Sequence, residues 1–252
     1  MHTNLHDIAI PPHHPRAKSL YIREMLVSGF RRGLVAPEGL IAHGRGEAYD
    51  YLFGERTTEH AQLAINAAAA LLLRSSHPVI SVNGNTAALC PGAVVELAEV
   101  TGATVEVNIF YRTEEREMAI KRELEINGAK RVLGVGSNAS ARIPELQSER
   151  RRVDADGIFT ADTVLVPLED GDRTEALAKM NKTVIAIDLN PLSRTSRAAN
   201  ITIVDNIVRA MPSLIEAAKK LKGTTSLEKI LDNFDNSKNL QDSIRIMKGE
   251  IQ

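Results

Sequence analysis

The chain reads VIAIDLNPLSRT over residues 184–195, and this stretch decides the fold. Its first four residues are apolar and mostly β-branched, which is typical of a strand buried in a parallel sheet. A polar turn follows, in which Pro191 interrupts regular structure. Open α/β sheets bind their ligands where such strands end. The carboxylate, amide, guanidinium and hydroxyl groups of this turn suit a ligand that carries ribose and phosphate. The alternative is an ordinary turn at a strand end.

Other apolar runs along the chain also end in polar turns. The predicted strands cover residues 78–82, 104–110, 131–135, 163–166, 184–187 and 201–204. Because helical segments separate these runs, the sequence predicts an α/β fold with a Rossmann-like, doubly wound and mainly parallel sheet. Right-handed crossovers place all the polar strand ends on one edge of such a sheet.

Helical additions are predicted at both ends of the chain. Residues 15–32 have helical spacing and stop at Gly33, and residues 61–73, preceded by Thr58, predict a long alanine-rich helix. The small side chains of that second helix permit close packing on another helix or on the sheet, or a contact between two protomers. Residues 36–47 contain too many glycines to predict regular structure.

Composition bounds the class of protein. The chain has 252 residues, 43% hydrophobic and 25% charged, as in an ordinary globular protein. We expect one α/β domain over residues 1–223 and a helical tail over residues 224–252. The formal net charge of -1 and the 4% aromatic content argue against nucleic acid and anionic membranes as partners. Cys90 is the only cysteine, which excludes an intramolecular disulfide and a cysteine-based zinc site.

No segment of the sequence predicts secretion or membrane insertion. Residues 1–15 are polar and interrupted by prolines, unlike a signal peptide. The longest apolar stretch, residues 67–73, is far shorter than the roughly 20 residues that span a bilayer. We therefore expect a cytoplasmic protein.

Common nucleotide and metal motifs are missing from the sequence. There is no P-loop, and residues 134–139 begin like a dinucleotide fingerprint but lack its third glycine. A nicotinamide enzyme is therefore disfavoured. His13, His14 and His43 match no common ligand spacing, so no metal ligand is assigned to them.

Two groups of basic residues are candidates for holding anions. In HGRGE, residues 43–47, the glycines allow the backbone to approach a ligand and leave Arg45 to meet an anion. The alternative is a tight turn with a surface arginine. Arg16 and Arg23 are seven residues apart and share one helix face, where they can clamp a phosphate and a carboxylate.

Three carboxylates follow the fourth predicted strand, at Glu169, Asp170 and Asp172. Close carboxylates repel one another and raise each other's pKa values, and a magnesium ion or a substrate ammonium relieves that repulsion. The alternative role for Asp172 is to cap the helix that follows.

Several longer segments carry a family resemblance. They are HPR at 14–16, SLYIRE at 19–24, GLIAHGRGEA at 39–48, PVISVNGN at 78–85, FYRTEER at 110–116, VLVPLEDGDRT at 164–174, DLNPLSRT at 188–195 and TIVDNIVR at 202–209. Together they resemble the archaeal 4-phosphopantoate–β-alanine ligase family, also called phosphopantothenate synthetase. The resemblance extends to about residue 221 and leaves out the loop 136–147 and the tail after residue 224.

The resemblance implies a homodimeric, ATP- and Mg²⁺-dependent ligase of coenzyme A biosynthesis with a Rossmann-like core. Such enzymes join 4-phosphopantoate to β-alanine and release 4′-phosphopantothenate, AMP and diphosphate. The ATP contacts that it implies fall on Arg23, Arg45, Asp188, Leu189, Asn190, Arg194, Thr195, Asn206 and Ile207.

We expect the reaction to pass through an acyl adenylate. In this hypothesis Arg23, Arg45 and Arg194 neutralise the nucleotide phosphates, while Asp188 and Asn190 bind the nucleoside. Positions on strands and helices suggest that Arg16 or Arg112 holds the 4-phosphate, and that Asn83 contacts substrate. Asp170 or Asp172 attracts the ammonium of β-alanine, and His43 is a candidate base.

Two other functions remain open at this point. A kinase acting on a hydroxy acid would share the arginines but would release ADP and need no amine. A regulatory module that binds ATP would need Asp188 and Arg194 but no second anion site.

Overall fold

The computed structural model describes residues 10–11, 13–168 and 171–251. The described residues form strands β1 (Pro78–Val82), β2 (Thr104–Val107), β3 (Val132–Leu133), β4 (Ala141–Arg142), β5 (Arg152–Val153), β6 (Thr163–Pro167), β7 (Thr183–Ile187) and β8 (Ile201–Ile203). They also form helices α1 (Ala17–Arg31), α2 (Pro37–Leu52), α3 (Glu59–Arg74), α4 (Gly84–Leu89), α5 (Pro91–Thr101), α6 (Glu114–Ile126), α7 (Gly171–Lys179), α8 (Arg194–Ala198), α9 (Ile207–Leu221), α10 (Leu227–Asp232) and α11 (Asn236–Met247).

Six of the strands form one parallel sheet in the order β3-β2-β1-β6-β7-β8. From β1 the chain adds β2 and then β3 on one side of the sheet. It then returns to β6, which lies beside β1, and adds β7 and β8 on the other side. This is the doubly wound order, whose switch point lies between β1 and β6. The predicted α/β fold class is confirmed. The short strands β4 and β5 pair antiparallel in a separate two-stranded sheet.

Alternating strand residues bury two hydrophobic cores, one on each face of the sheet. Ile80, Leu165 and Ile185 contribute to the core that α3, α5 and α9 cover. Their neighbours Val79 and Val164 contribute to the opposite core, which α7 and the segment around β5 cover. The sheet is therefore buried on both faces, which explains the continuous apolar runs in the sequence.

The prediction of irregular structure for residues 36–47 is wrong, because they lie in helix α2. Pro37 occupies the first turn, where its missing N–H costs nothing. Gly39 is required by a close contact, because a Cβ there would lie 2.4 Å from Oδ1 of Asn85. The Asn85 amide also donates to the Gly39 carbonyl at 2.8 Å. Tertiary contact thus overrides the low helix propensity of glycine, and the tight turn considered around Arg45 is also wrong.

The alanine-rich helix α3 packs within the chain. Thr58 caps it by accepting a hydrogen bond from the Ala61 N–H at 3.1 Å. Residues 67–72 are buried in contact with the core that α9 shares. Close packing on helix and sheet is confirmed, and a contact between two protomers through this helix stays a prediction.

The tail after residue 224 is helical, as predicted, and it covers the edge strand β8. Asn236 accepts from the Thr202 N–H at 2.9 Å, and the Asn239 amide donates to the Thr202 carbonyl at 2.8 Å. These bonds satisfy backbone groups that an edge strand would otherwise expose. Among the residues described, no helix combines the length and apolar character needed to cross a bilayer.

Candidate active site

A cavity of about 450 Å³ opens at the carboxyl edge of the sheet, at the switch point between β1 and β6. Helix α2 forms one wall, and the segments that follow β1, β2, β6, β7 and β8 form the others. Its size lies in the range of small-molecule sites. The predicted site residues that line it are His43, Arg45, Asn83, Asp172, Asp188, Leu189, Asn190, Arg194, Asn206 and Ile207.

The turn after β7 is fixed by its own side chains. Asp188 accepts hydrogen bonds from the Asn190 N–H at 2.9 Å and from the Ser193 hydroxyl. Asn190 in turn accepts from the Leu192 N–H at 3.0 Å. Thr195 is buried within α8 behind this turn and does not line the cavity. The turn therefore presents a rigid polar backbone to a ligand.

A buried charge network supports the turn after β8. Asn206 caps α9, and its amide donates to Asp50 at 2.8 Å. Arg209 bridges Asp50 and Asp205, with shortest N–O distances of 2.5 and 2.6 Å. Burial raises the pKa of Asp205, and the Arg209 guanidinium opposes that effect. This network fastens α2 to the sheet edge and to α9.

His43 and Arg45 project from α2 toward the cavity. Nε2 of His43 is buried and has no hydrogen-bond partner among the described residues. Burial lowers the pKa of His43 from its ordinary value of 6.5, while Glu47 opposes the shift. The imidazole is therefore neutral at neutral pH and can accept a proton. Arg45 is solvent-exposed and belongs to the same wall.

Arg194 is exposed at the mouth of the cavity and is held by two carboxylates. Its guanidinium lies 2.6 Å from Asp172 and 2.7 Å from Glu175. These hydrogen-bonded charges raise the pKa of Arg194. Asp172 lies in the first turn of α7. Asp170, predicted beside it, lies outside the described residues, as does Glu169.

Arg16 and Arg23 share one face, as predicted, but they do not line the cavity. Arg23 donates three hydrogen bonds to Glu47, of 2.7, 2.9 and 3.0 Å. Arg16 lies 2.9 Å from both Glu47 and Glu55. We define these four residues as the α1–α2 cluster. It fastens the first two helices together, one turn away from His43.

Arg112 does not line the cavity, whereas its neighbour Arg116, which sequence reasoning missed, does. Arg112 lies 2.7 Å from Glu117, and both side chains are almost fully buried away from the cavity. Arg116 lines the cavity from the first turn of α6. The Thr113 helix cap is visible in the sequence. It places Arg116 in the first turn of α6 and Arg112 before the helix, and this difference could have distinguished the two arginines. Arg150, in a short 3₁₀ helix over Glu149–Arg151, also lines the cavity, and no sequence signal pointed to it.

Asn83 joins the two strands at the switch point. It accepts from the Thr86 N–H at 2.9 Å, and its amide donates to the Pro167 carbonyl at 3.2 Å. These bonds connect the end of β1 with the end of β6. As for metals, the described part of the chain contains no group of three His, Cys, Asp or Glu side chains able to hold an ion.

A doubly wound sheet with an arginine-bearing cavity at its switch point defines an α/β enzyme of the Rossmann-like class. The family model for phosphopantothenate/pantothenate synthetase matches residues 60–250. A 4-phosphopantoate–β-alanine ligase of Thermococcus kodakarensis is 54% identical over 93% of this chain and 90% of its own length. The Methanosarcina mazei ligase of the same name is 52% identical over 93% and 92%. The chain belongs to the phosphopantothenate/pantothenate synthetase family, and it is a ligase.

Proposed function

We propose that the protein joins 4-phosphopantoate to β-alanine at the expense of ATP, releasing 4′-phosphopantothenate, AMP and diphosphate. Relatives that bear the name of this ligase match almost the whole chain. The observation that carries the proposal is a single cavity in which Arg45 and Arg194 lie with the turns after β7 and β8. Two polyanions need such local cations, because the net charge of the chain is close to zero.

The nucleotide occupies the end of the cavity formed by β7 and β8. Arg45 and Arg194 neutralise its phosphates, and the Asp188–Asn190 turn binds the nucleoside, with Leu189 and Ile207 as apolar surface. The side chain of Asn206 is engaged by Asp50 and by the Val208 N–H, so it acts by fixing the start of α9. Thr195 acts in the same indirect way, from inside α8.

Arg23 reaches the nucleotide only by leaving Glu47, since its guanidinium is bonded to that carboxylate. Glu47 lies on the same helix as His43 and Arg45. If a phosphate replaces Glu47 as the partner of Arg23, the change therefore acts on helix α2, which carries the proposed base His43.

The proposed chemistry has two steps. The carboxylate of 4-phosphopantoate attacks the α-phosphorus of ATP, which forms the acyl adenylate and expels diphosphate. The amine of β-alanine then attacks the acyl carbon, and AMP leaves with the electron pair of the broken C–O bond. The amine first loses a proton, which the neutral His43 accepts. A phosphate on Arg194 competes with Asp172, which frees that carboxylate to attract the ammonium of β-alanine.

Magnesium fits this cavity as a companion of the nucleotide. Mg²⁺ commonly binds through substrate phosphates, water and one or two carboxylates. Among the described lining residues, Glu38 and Asp172 are exposed carboxylates, and either suits such a site. When bound, the ion offsets phosphate charge. We further propose that the protein works as a cytoplasmic homodimer, which analytical ultracentrifugation of the purified protein tests for assembly.

Exchange of labelled diphosphate into ATP tests the proposed function. We expect exchange when 4-phosphopantoate is present and β-alanine is absent, and AMP as the nucleotide product of the full reaction. Formation of ADP without any need for β-alanine would indicate a kinase and contradict the ligase. ATP binding with no turnover would indicate the regulatory module instead.

A further inference from the structure

A buried arginine lies directly beside the cavity, in the first turn of α7. Arg173 is only 1% exposed, although arginine is rarely buried to this extent in proteins. It follows Asp172, which is exposed at the mouth of the cavity. Successive residues of a helix point in directions about 100° apart. The same turn therefore carries one group that faces the cavity and one that the sheet encloses.

The Arg173 guanidinium bonds to the carboxyl ends of two strands. Its Nη1 donates to the Ser81 hydroxyl at 2.7 Å and to the side-chain oxygen of Asn108 at 2.6 Å. Ser81 belongs to β1 and lies on the same face as Val79, which is the face that α7 covers. Asn108 directly follows β2. One guanidinium thus ties the start of α7 to two strands on the other side of the switch point.

Asn108 is itself fixed, so it can serve as an anchor. Its backbone N–H donates to the Val82 carbonyl at 2.9 Å. Its side-chain amide donates to the carbonyls of Arg150 and Arg152, at 3.1 and 3.2 Å. Because these two bonds use both amide hydrogens, the side-chain oxygen is left to accept from Arg173.

Glu106, a buried acid in β2, also interacts with Arg173. Burial raises the pKa of Glu106 to about 7. Hydrogen bonds from the Ile158 and Asp154 N–H groups oppose this shift, and so does the charge of Arg173. A buried guanidinium is stable only where bonded polar groups and an opposite charge surround it. These neighbours therefore define one place for the Arg173 side chain, and with it the place of the first turn of α7.

The rest of α7 is held by other contacts. Ala176 and Leu177 are buried in the core beneath the helix. Arg194 keeps two bonds to Glu175, of 3.0 and 2.7 Å, whatever the position of Asp172. Loss of Arg173 should therefore displace the first turn of α7, and Asp172 with it, while the helix and Arg194 stay in place.

We propose that Arg173 is a positioning residue for the amide-forming step, because it holds Asp172 where that carboxylate attracts the ammonium of β-alanine. The proposal rests on the proposed function. Arg173 does not line the cavity, so it acts through Asp172 and not on a substrate. Adenylate formation depends on the turns after β7 and β8, and the first of these is fixed by its own side chains. The first step should therefore survive a change that impairs the second.

Comparison of the two half-reactions in Arg173→Gln tests the proposal. Product formation with β-alanine should fall about 10- to 100-fold, because a displacement of about 1 Å in a positioning group can cost that much in rate. Exchange of labelled diphosphate into ATP, with 4-phosphopantoate and without β-alanine, should stay close to the wild-type rate. Arg173→Lys should recover part of the loss, since an ammonium group can still donate to Ser81 or Asn108.

Lys182→Gln is the matched control for the loss of a buried cation. Lys182 is buried and donates to the Phe159 and Ala161 carbonyls, both at 2.7 Å. It precedes β7, at the edge of the sheet opposite the cavity. Its replacement should destabilise the protein without changing the ratio of the two rates.

Two results would overturn the proposal. One is an equal fall of both rates in Arg173→Gln, as a merely structural role requires, and the other is product formation at the wild-type rate. If Arg173→Gln fails to fold, Ser81→Ala removes one of the two acceptors and must show the same selective loss. An unchanged ratio in that variant would be equally contrary.

Amide hydrogen exchange over residues 171–176 separates this proposal from the proposed function. Faster exchange there in Arg173→Gln than in the wild type and in Lys182→Gln would support the tie between α7 and the strand ends, even if the wild type makes no product and the ligase fails. Unchanged hydrogen exchange would overturn the tie. If the wild type makes product and the ratio of half-reactions is unchanged in Arg173→Gln, the ligase stands and the positioning role fails.

Discussion

The arginines of the α1–α2 cluster and Arg116 in the cavity wall are held in different ways. Arg16 and Arg23 each bond to Glu47, so their charges are cancelled inside the chain. Arg116 bonds to carbonyl oxygens, which fix its position without cancelling its charge. In this comparison, the arginine that bonds to carbonyls keeps its charge for a ligand, whereas the two that pair with Glu47 join α1 to α2.

Arg209 is the buried counterpart of the α1–α2 cluster, and its replacement should have the largest effect. Arg209→Ala leaves Asp50 and Asp205 buried without their cation, which should cost about 3–5 kcal/mol in the free energy of unfolding. Because burial already raises the pKa of Asp205, protonation at acid pH should reduce this deficit. Denaturant unfolding at several pH values measures it. Arg131→Ala, at an ion pair whose two side chains are exposed, is the control, and a loss no larger than the control's would refute the structural role.

Arg45 lines the cavity from α2. Arg45→Ala should lower kcat/KM by about 10²–10³, because a cation that neutralises the transferring phosphate is removed from the transition state. Kinetics with ATP varied measures the effect. Arg31→Ala, which is exposed on α1, should behave as wild type. Wild-type turnover in Arg45→Ala would show that nucleotide chemistry does not use this wall.

His43 is a neutral group that lines the same cavity as Arg116. Its Nε2 has no hydrogen-bond partner among the described residues. Burial lowers its pKa below 6.5, so the base form persists to mildly acid pH. The kcat/KM for β-alanine should fall only as pH drops through a midpoint below 6.5. His43→Gln should remove this dependence and slow the reaction by about 10². The exposed His77→Gln is the control, and an unchanged pH profile in His43→Gln would exclude the base role.

Arg16 should give the smallest effect. Arg16→Gln breaks partly exposed ion pairs, which are worth at most about 1 kcal/mol in the free energy of unfolding. The KM for 4-phosphopantoate should not change, because Arg16 does not line the cavity. Thermal unfolding and steady-state kinetics check the two outcomes. A selective rise in that KM would place the phosphate of 4-phosphopantoate at the α1–α2 cluster.

The sheet was predictable because its signals are local. The run VIAI of β7 is apolar since both faces of the sheet are buried, and DLN follows because the strand ends at the cavity. Helix α2 was not predictable. Three glycines in its first ten residues disfavour a helix by about 1 kcal/mol each, and only the distant Asn85 explains Gly39.

The choice among the arginines was the part of the site that sequence could not supply. The seven-residue spacing predicted that Arg16 and Arg23 share one face. The sequence around them does not show that both pair with Glu47, which is distant along the chain. Arg112 and Arg116 are four residues apart, one before the Thr113 cap of α6 and one inside the helix, and their partners differ: Glu117 for Arg112 and backbone carbonyls for Arg116.

The central claim is that the carboxylate of 4-phosphopantoate attacks the α-phosphorus of ATP. Transfer of a carboxylate oxygen to AMP tests this claim most directly. The protein should be given ATP, β-alanine and 4-phosphopantoate whose carboxylate carries the heavy isotope of oxygen, and the nucleotide products analysed by mass spectrometry. Attack at the α-phosphorus in one shared cavity predicts that AMP acquires one labelled oxygen per turnover. Unlabelled AMP, or label in inorganic phosphate together with ADP, would contradict the account.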